Sequence, residues 1–224
     1  MVSVIIPAFN EGRTIGEIVR SIIGHPQIRE VIVVDDKSTD DTADVAKRAG
    51  ARVLSLAENG GKAGAMDAGI GVAESEIILF LDADVVGFTD EKISTIINPV
   101  ADGRLGMHVG LLPRPSLSIF SKKVFYILPV LSGMRALTKS LWYRVPESQR
   151  DGFKIELALN HAARKWANGT GYEIIPGLTH SIKERKHGIL RGFWRRVKMW
   201  GELASISLEL YIWEPVKNLF HPVA

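Results

Sequence analysis

Apolar and polar positions follow a regular rhythm over the first hundred residues. Val2-Ser3-Val4-Ile5-Ile6-Pro7 is a β-branched run closed by proline, which predicts a buried first strand. Asn10-Glu11-Gly12 makes a turn, after which Ile15, Ile18, Val19, Ile22 and Ile23 recur at helical spacing until His25-Pro26 stops them. Glu30 to Val34 is a second β-branched strand, and it runs into Asp35-Asp36. Thr39-Asp40-Asp41-Thr42 supplies N-cap residues for a helix with Ala43, Val45, Ala46 and Ala49 on its apolar face and Gly50 at its end. Arg52 to Leu56 is a short third strand, and Asn59-Gly60-Gly61-Lys62 opens onto a small-residue helix from Ala63 to Val72. A continuous apolar run, Ile77-Ile78-Leu79-Phe80-Leu81, then predicts a fully buried strand that stops at Asp82-Ala83-Asp84.

Strands alternating with helices in this way predict an α/β fold with a parallel, doubly wound sheet and right-handed crossovers. The rhythm fades near residue 103. The chain is therefore expected to form one domain over 1–224, with a nucleotide-binding half over 1–103 and an acceptor half over 104–224 packed on it. In the second half, Leu105 to Leu112 reads as a strand that ends at Pro113-Arg114-Pro115. Asp151-Gly152-Phe153 precedes a helix from Ile155 to Trp166, and Tyr172 to Ile175 is a last strand, followed by Pro176-Gly177 and His180. From Lys183 to Lys198 seven Lys/Arg and one Glu are interleaved with Ile189, Leu190, Phe193, Trp194 and Val197. That pattern predicts a basic amphipathic helical segment that packs its apolar side on the domain, and its charge also suits an anionic lipid surface.

Composition narrows the options. At 224 residues and 46% apolar content the chain is long enough for a sizeable core. It has no cysteine, which excludes disulfides, thiolate chemistry and Cys-ligated zinc. The N-terminus has no basic region ahead of its first strand, and no apolar run reaches the roughly 18–20 residues of a membrane span. These features predict a cytoplasmic protein, with the basic segment permitting peripheral contact at the inner membrane face. The net charge of +3 is modest; the Lys183–Lys198 segment could also attract nucleic-acid phosphates electrostatically, but no nucleic-acid partner is expected.

Candidate chemistry sits at the strand ends. A strand stopping at Asp82-Ala83-Asp84 delivers two carboxylates to the carboxyl edge of the sheet, where open α/β folds place their ligands. Hard divalent ions such as Mg²⁺ and Mn²⁺ take carboxylate oxygens and complete their shell with substrate phosphates. The plainer alternative is two solvated acids in a turn. Asp35-Asp36 ends a strand on the same edge, where a carboxylate accepts hydrogen bonds from a nucleobase or ribose; acids suited to a helix dipole are the alternative. Gly60-Gly61-Lys62-Ala63-Gly64 is similar to a phosphate-binding turn, but neither a P-loop nor a Gly-x-Gly-x-x-Gly is present.

Taken in order, Ser3-Val4-Ile5-Ile6-Pro7-Ala8-Phe9-Asn10-Glu11, Val34-Asp35-Asp36-Lys37-Ser38-Thr39-Asp40-Asp41-Thr42, Gly61-Lys62-Ala63 and Leu81-Asp82-Ala83-Asp84 resemble the family 2 glycosyltransferases, which have the Rossmann-like GT-A fold. The resemblance is strong over roughly the first 115 residues. It implies a metal-dependent transferase that moves a sugar from a UDP- or GDP-linked donor. It implies that the loop of Pro7, Phe9 and Glu11, together with Asp36, contacts the nucleoside. Lys62 would lie near the diphosphate, and Asp82 and Asp84 would hold Mg²⁺ or Mn²⁺.

The second half resembles two subgroups. Ser132-Gly133-Met134-Arg135, with Gly152-Phe153-Lys154-Ile155-Glu156, looks like the polyprenyl-phosphate (dolichol-phosphate) sugar transferases. Those usually carry Gln two positions after the metal motif, where this chain has Val86. Gly61-Lys62-Ala63, Pro113-Arg114-Pro115 and a histidine after the last strand look like the glucosyl-3-phosphoglycerate synthases. That likeness implies His180 as a further metal ligand. Arg114 and Arg135 become candidates for clamping acceptor phosphate through bidentate hydrogen bonds. Glu156 becomes a candidate base or orienter of the acceptor, and Asp151 a lesser acid candidate. The phosphorylated acceptor is expected to be lipid-linked, with 3-phosphoglycerate as the soluble alternative. A nucleotide-sugar-binding protein without catalysis is the reading from another class.

Overall fold

The computed structural model describes residues 1–113, 132–152, 154–166 and 168–181. Nine strands fall among them: β1 Val2–Ala8, β2 Ile28–Asp35, β3 Arg52–Ser55, β4 Ile77–Phe80, β5 Val85–Val86, β6 Met107–Leu111, β7 Arg135–Thr138, β8 Thr170–Ile174 and β9 Thr179–His180. The helices are α1 Ile15–Ile22, α2 Thr42–Arg48, α3 Gly61–Val72, α4 Asp90–Ala101, α5 Lys139–Tyr143 and α6 Lys154–Trp166. Seven strands form one sheet in the order β3-β2-β1-β4-β7-β6-β8, and β5 pairs with β9 in a small second ribbon. In the large sheet β3, β2, β1 and β4 are parallel, as are β6 and β8; β7 runs antiparallel to both of its neighbours.

The central strands are buried on both faces, so successive residues feed two different cores. Ile5, Ile32, Val34, Ile78 and Phe80 point into one, with α3, α5 and α6. Val4, Ile6, Val31, Val33, Leu79 and Leu81 point into the other, with α1 and α4. This is why those strands read as unbroken apolar runs. The small residues of α3 let it lie close to the sheet. A β-carbon on Gly69 would come within 2.5 Å of Ile5 Cγ2 and 3.1 Å of Val34 Cγ2. Trp142 on α5 is fully buried against Phe80. Its Nε1 donates to Asp67 of α3 at 2.8 Å, and Arg150 donates to the same carboxylate oxygen while its guanidinium lies over the Trp142 and Tyr143 rings.

The first four strands and the three helices between them form where the sequence places them. Helix α4 is an addition to the expected elements. Ile93, Ile96, Ile97 and Val100 on its buried face have helical spacing, and the Thr89 hydroxyl accepts from the Lys92 N–H at its start. Pro99 masks the pattern, but it sits in the final turns, where the helix is about to end. Strand β7 is another addition, and its first residue, Arg135, ends the segment that resembles a phosphate-binding motif; β5, β9 and α5 are further additions. Strand β8 starts two residues before the expected strand, and α6 one residue before the expected helix. Arg114, Phe153 and the Lys183–Lys198 segment, with the expected C-terminal helix, lie outside the described residues.

The contact of α3 with β1 makes a paired prediction. Gly69→Val is expected to destabilise the fold by about 1–3 kcal/mol through overpacking against Ile5. Gly71→Ala, on the exposed side of the same helix with open space around it, is expected to stabilise by about 0.5–1 kcal/mol. Chemical denaturation of the two variants beside the parent checks both signs.

Candidate active site

Parallel register brings three strand ends together. Ala8 pairs with Asp35 across β1 and β2, and Ile5 pairs with Phe80 across β1 and β4. The Asp36 N–H then donates to Ala8 O at 2.9 Å, and the Leu81 N–H to Ile5 O at 3.1 Å. A cleft of about 180 Å³ opens at this edge. Pro7, Phe9 and Glu11 line it from the end of β1, Asp36 from the end of β2, Lys62 from α3, and Asp82 and Asp84 from the end of β4. The residues expected in the nucleoside and diphosphate regions are thus gathered at one place. Phe9 is 45% exposed, an apolar ring held open at the mouth of the cleft.

The loops that carry these residues are cross-braced. Asn10 and Lys37 both adopt left-handed backbone, with φ of 57° and 63°. Between them, the Asn10 N–H donates to Ser38 Oγ at 2.9 Å and the Thr39 N–H to Asn10 Oδ1 at 2.8 Å. The Glu11 N–H donates to Thr42 Oγ1 at 2.8 Å. Asp36 is fastened to the next loop: its Oδ1 accepts from the Gly60 N–H at 2.7 Å and its carbonyl from Asn59 Nδ2 at 2.9 Å. Burial raises the Asp36 pKa above the usual carboxylate value; the Gly60 and Gly61 N–H groups oppose that shift and the Asp35 charge adds to it.

The two carboxylates of Asp82-Ala83-Asp84 diverge. The turn is pinned by the Thr14 hydroxyl, which donates to Ala83 O at 2.7 Å in a buried setting. Sequence reasoning missed Thr14, because a threonine before a helix looks like an ordinary cap. Asp82 faces Lys62, whose Nζ lies 3.0 Å from its Oδ1. Asp84 faces β9 instead. Its carbonyl accepts from the Ser181 N–H at 2.8 Å, and its Oδ1 lies 3.6 Å from His180 Nδ1. The expected ligand set of Asp82, Asp84 and His180 is therefore split, and no group of three or more metal-ligating side chains is assembled among the described residues. The Asp84–His180 pair still fits a hard or borderline divalent ion. Two ligand atoms each roughly 2.1 Å from one ion sit roughly 3.0–3.5 Å apart, and such ions commonly keep few protein ligands and take the rest from phosphate and water.

Lys62 Nζ also donates to Glu156 Oε1 on α6 at 2.9 Å. Burial works against the Lys62 charge, but the Glu156 and Asp82 carboxylates more than offset it and raise its pKa. Glu156 is 5% exposed and its other oxygen faces Arg135 Nη2 at 3.7 Å, so cations engage both of its oxygens. It is not presented to the cleft as a free base. Arg135 is wholly buried: Nε and Nη2 donate to Ser132 O at 3.1 and 2.6 Å, and Nη1 donates to Glu156 O at 3.3 Å. The structure thus corrects its expected role as a phosphate clamp, since its donors are spent inside the protein. Asp151 is exposed at the start of α6, outside the cleft.

The profile described as Glycosyl transferase family 2 matches residues 3–164. The chain belongs to glycosyl transferase family 2. The mixed, mostly parallel seven-stranded sheet flanked by helices matches the GT-A fold. A 4,4'-diaponeurosporenoate glycosyltransferase of Staphylococcus aureus is 39% identical over 101 residues, which is 43% of this chain and 27% of the relative. The match thus spans about a quarter of that relative's length. Among solved structures, glucosyl-3-phosphoglycerate synthase of Mycobacterium tuberculosis in complex with Mn²⁺, UDP-glucose and phosphoglyceric acid superposes with a TM-score of 0.73 at 21% identity, over 92% of this chain and 79% of that one. The same enzyme with Mg²⁺ and UDP gives 0.68 at 23% identity, over 82% and 72%. At these identities the likeness is one of fold.

The shifted Asp36 gives a pH prediction. Its pKa is raised on folding, so its ionisation costs stability, fully above the raised folded value and not at all below the ordinary unfolded one. Asp36→Asn is expected to raise the thermal midpoint at pH 7–8, and the gain should shrink as pH falls through the folded pKa towards 4. A gain that stays constant down to pH 4 would contradict the assignment.

Proposed function

We propose that this family 2 chain is a metal-dependent glycosyltransferase that moves a sugar from a nucleoside diphosphate to a phosphorylated acceptor. The observation that carries the proposal is the convergence of Asp36, Lys62, Asp82 and Asp84 on one cleft at the carboxyl edge of the parallel sheet. Pro7, Phe9 and Glu11 frame the nucleoside, with the Asp36 carboxylate as acceptor for its N–H or O–H groups. Lys62 stands where a cation attracts the diphosphate. Asp84, with His180, would hold Mg²⁺ or Mn²⁺, and Asp82 flanks them. When bound, the ion neutralises charge developing on the departing nucleoside diphosphate. What the residues of the chain contribute is a rigid, charged edge that positions the donor and resists rearrangement.

Two acceptor readings remain in view, each with its own support. The Asp84–His180 approach of 3.6 Å favours a small phosphorylated acid such as 3-phosphoglycerate, the acceptor implied by the subgroup in which such a histidine joins the metal shell. A polyprenyl phosphate is favoured by the basic, aromatic Lys183–Lys198 sequence, which suits an anionic lipid surface. No helix among the described residues is long and apolar enough to cross a membrane. Ser132–Arg135 no longer argues for lipid phosphate, because its arginine faces inward.

The test is a partition assay with Mn²⁺, radiolabelled UDP-glucose or GDP-mannose, polyprenyl phosphate and 3-phosphoglycerate. A new aqueous phosphosugar is expected on the first acceptor reading, and label in the organic phase on the second. Asp84→Asn is expected to abolish both Mn²⁺-dependent UDP binding and turnover while leaving the circular dichroism spectrum unchanged. Full transfer by that variant would overturn the metal assignment.

A further inference from the structure

Among the described residues, Arg135 is the only arginine in the set of largest fully buried side chains, and the reaction outlined above makes no use of it. Burial lowers its pKa, against the pull of the Glu156 carboxylate. A buried ion pair is poor value for stability alone, since an apolar replacement of similar volume is often neutral or better. The geometry around it supplies a different reason for its presence.

We infer that Arg135 is a positioning residue that sets the Asp82 carboxylate through two separate routes, the Ser132–Gly133 turn and the Glu156–Lys62 ion pair. The inference deepens the transferase reading and rests on it for what Asp82 does, though not for how Asp82 is held.

The first route is steric. Nε and Nη2 of Arg135 both donate to Ser132 O, closing the short turn that enters β7. Ser132 Oγ donates to Gly110 O at 2.7 Å, and the Gly110 N–H donates to Met134 O at 3.0 Å, so the turn is also fixed to β6. Inside it, Gly133 lies flush against Asp82, and a β-carbon there would collide with the carboxylate. A residue without a side chain is needed at 133, and the turn must stay closed, for Asp82 to keep its orientation. The second route is electrostatic. Arg135, Glu156, Lys62 and Asp82 form an alternating row of positive and negative charge, with separations of 3.7, 2.9 and 3.0 Å. Its members come from β7, α6, α3 and the end of β4. Charges so placed compensate one another, and each one fixes the position of the next. Arg135 touches no part of the cleft itself.

The decisive experiment compares Arg135→Lys and the neutral pair Arg135→Met/Glu156→Gln with the parent chain. Lysine keeps the positive charge beside Glu156 but cannot donate twice to Ser132 O and reach Glu156 at once. The double variant removes the ion pair without stranding a charge. Hydrogen exchange of the free protein, followed by mass spectrometry, is read first. Both variants are expected to exchange faster at 82–84 and 132–134 than the parent, with β1, β2 and α1 unchanged. Mn²⁺-dependent UDP binding is read next, and it should weaken by about 10-fold or more, the usual loss when a group that orients a ligand is removed. Unchanged exchange at 82–84 in both variants, or loosening spread evenly over the sheet, would overturn the inference and leave Arg135 a core residue. If the double variant fails to fold, Arg135→Lys alone decides between these outcomes. Local loosening in a protein whose parent binds neither UDP nor GDP would sink the donor reading and leave the inference standing.

Discussion

The structure depends on the burial of β1 between two parallel neighbours and beneath helices on both faces. Its backbone groups are satisfied by β2 and β4, and its side chains alternate between two separate cores. No slip of register is tolerable, because a shift of one residue would exchange the contents of the two cores. That constraint reaches function directly. The registers Ala8 to Asp35 and Ile5 to Phe80 decide that Pro7, Asp36 and Asp82 end side by side. The helix-forming residues of α3 answer to the same strand, since only glycine at 69 lets the helix carrying Lys62 come so close.

At the edge that results, like charges are kept apart by direction rather than by distance along the chain. Asp82 and Asp84 are two residues apart, yet one faces Lys62 and the other His180. Asp36 turns its carboxylate to the backbone of the Gly60 turn. Asp36, Asp82 and Asp84 are therefore each pre-set by a partner from a different element, which is how a rigid scaffold holds groups whose mutual repulsion would otherwise scatter them.

The first hundred residues were legible because their signals are local. Apolar runs ending in acids at Asp35-Asp36 and Asp82-Ala83-Asp84 specify both a buried strand and what stands at its tip. The family profile spans both stretches. The second half was legible in parts: the helix carrying Glu156 and the strand at 170–174 form close to where their periodicity places them. Three things were hidden. Helix α4 was obscured by Pro99. Strand β7 is short, and its arginine reads as a phosphate clamp until the fold encloses it. The partnership of Lys62 with Glu156 joins residues 94 positions apart, and no spacing rule connects them.

The place of β7 in the sheet bears on how the chain comes to be made. It lies between β4 and β6, yet β6 precedes it in the sequence. A nascent chain that has emerged only as far as residue 111 carries β4 and β6 with nothing to bridge them. The bare side of β4, formed from Ile77 to Phe80, is then an open apolar edge of the sort that invites pairing with other chains. Only when 135–138 leaves the ribosome can β7 bridge β4 and β6 and Gly133 be seated against Asp82; Arg135 is enclosed later, when α6 brings Glu156 to it. Bridging of β4 and protection from misassociation are thus one step of folding.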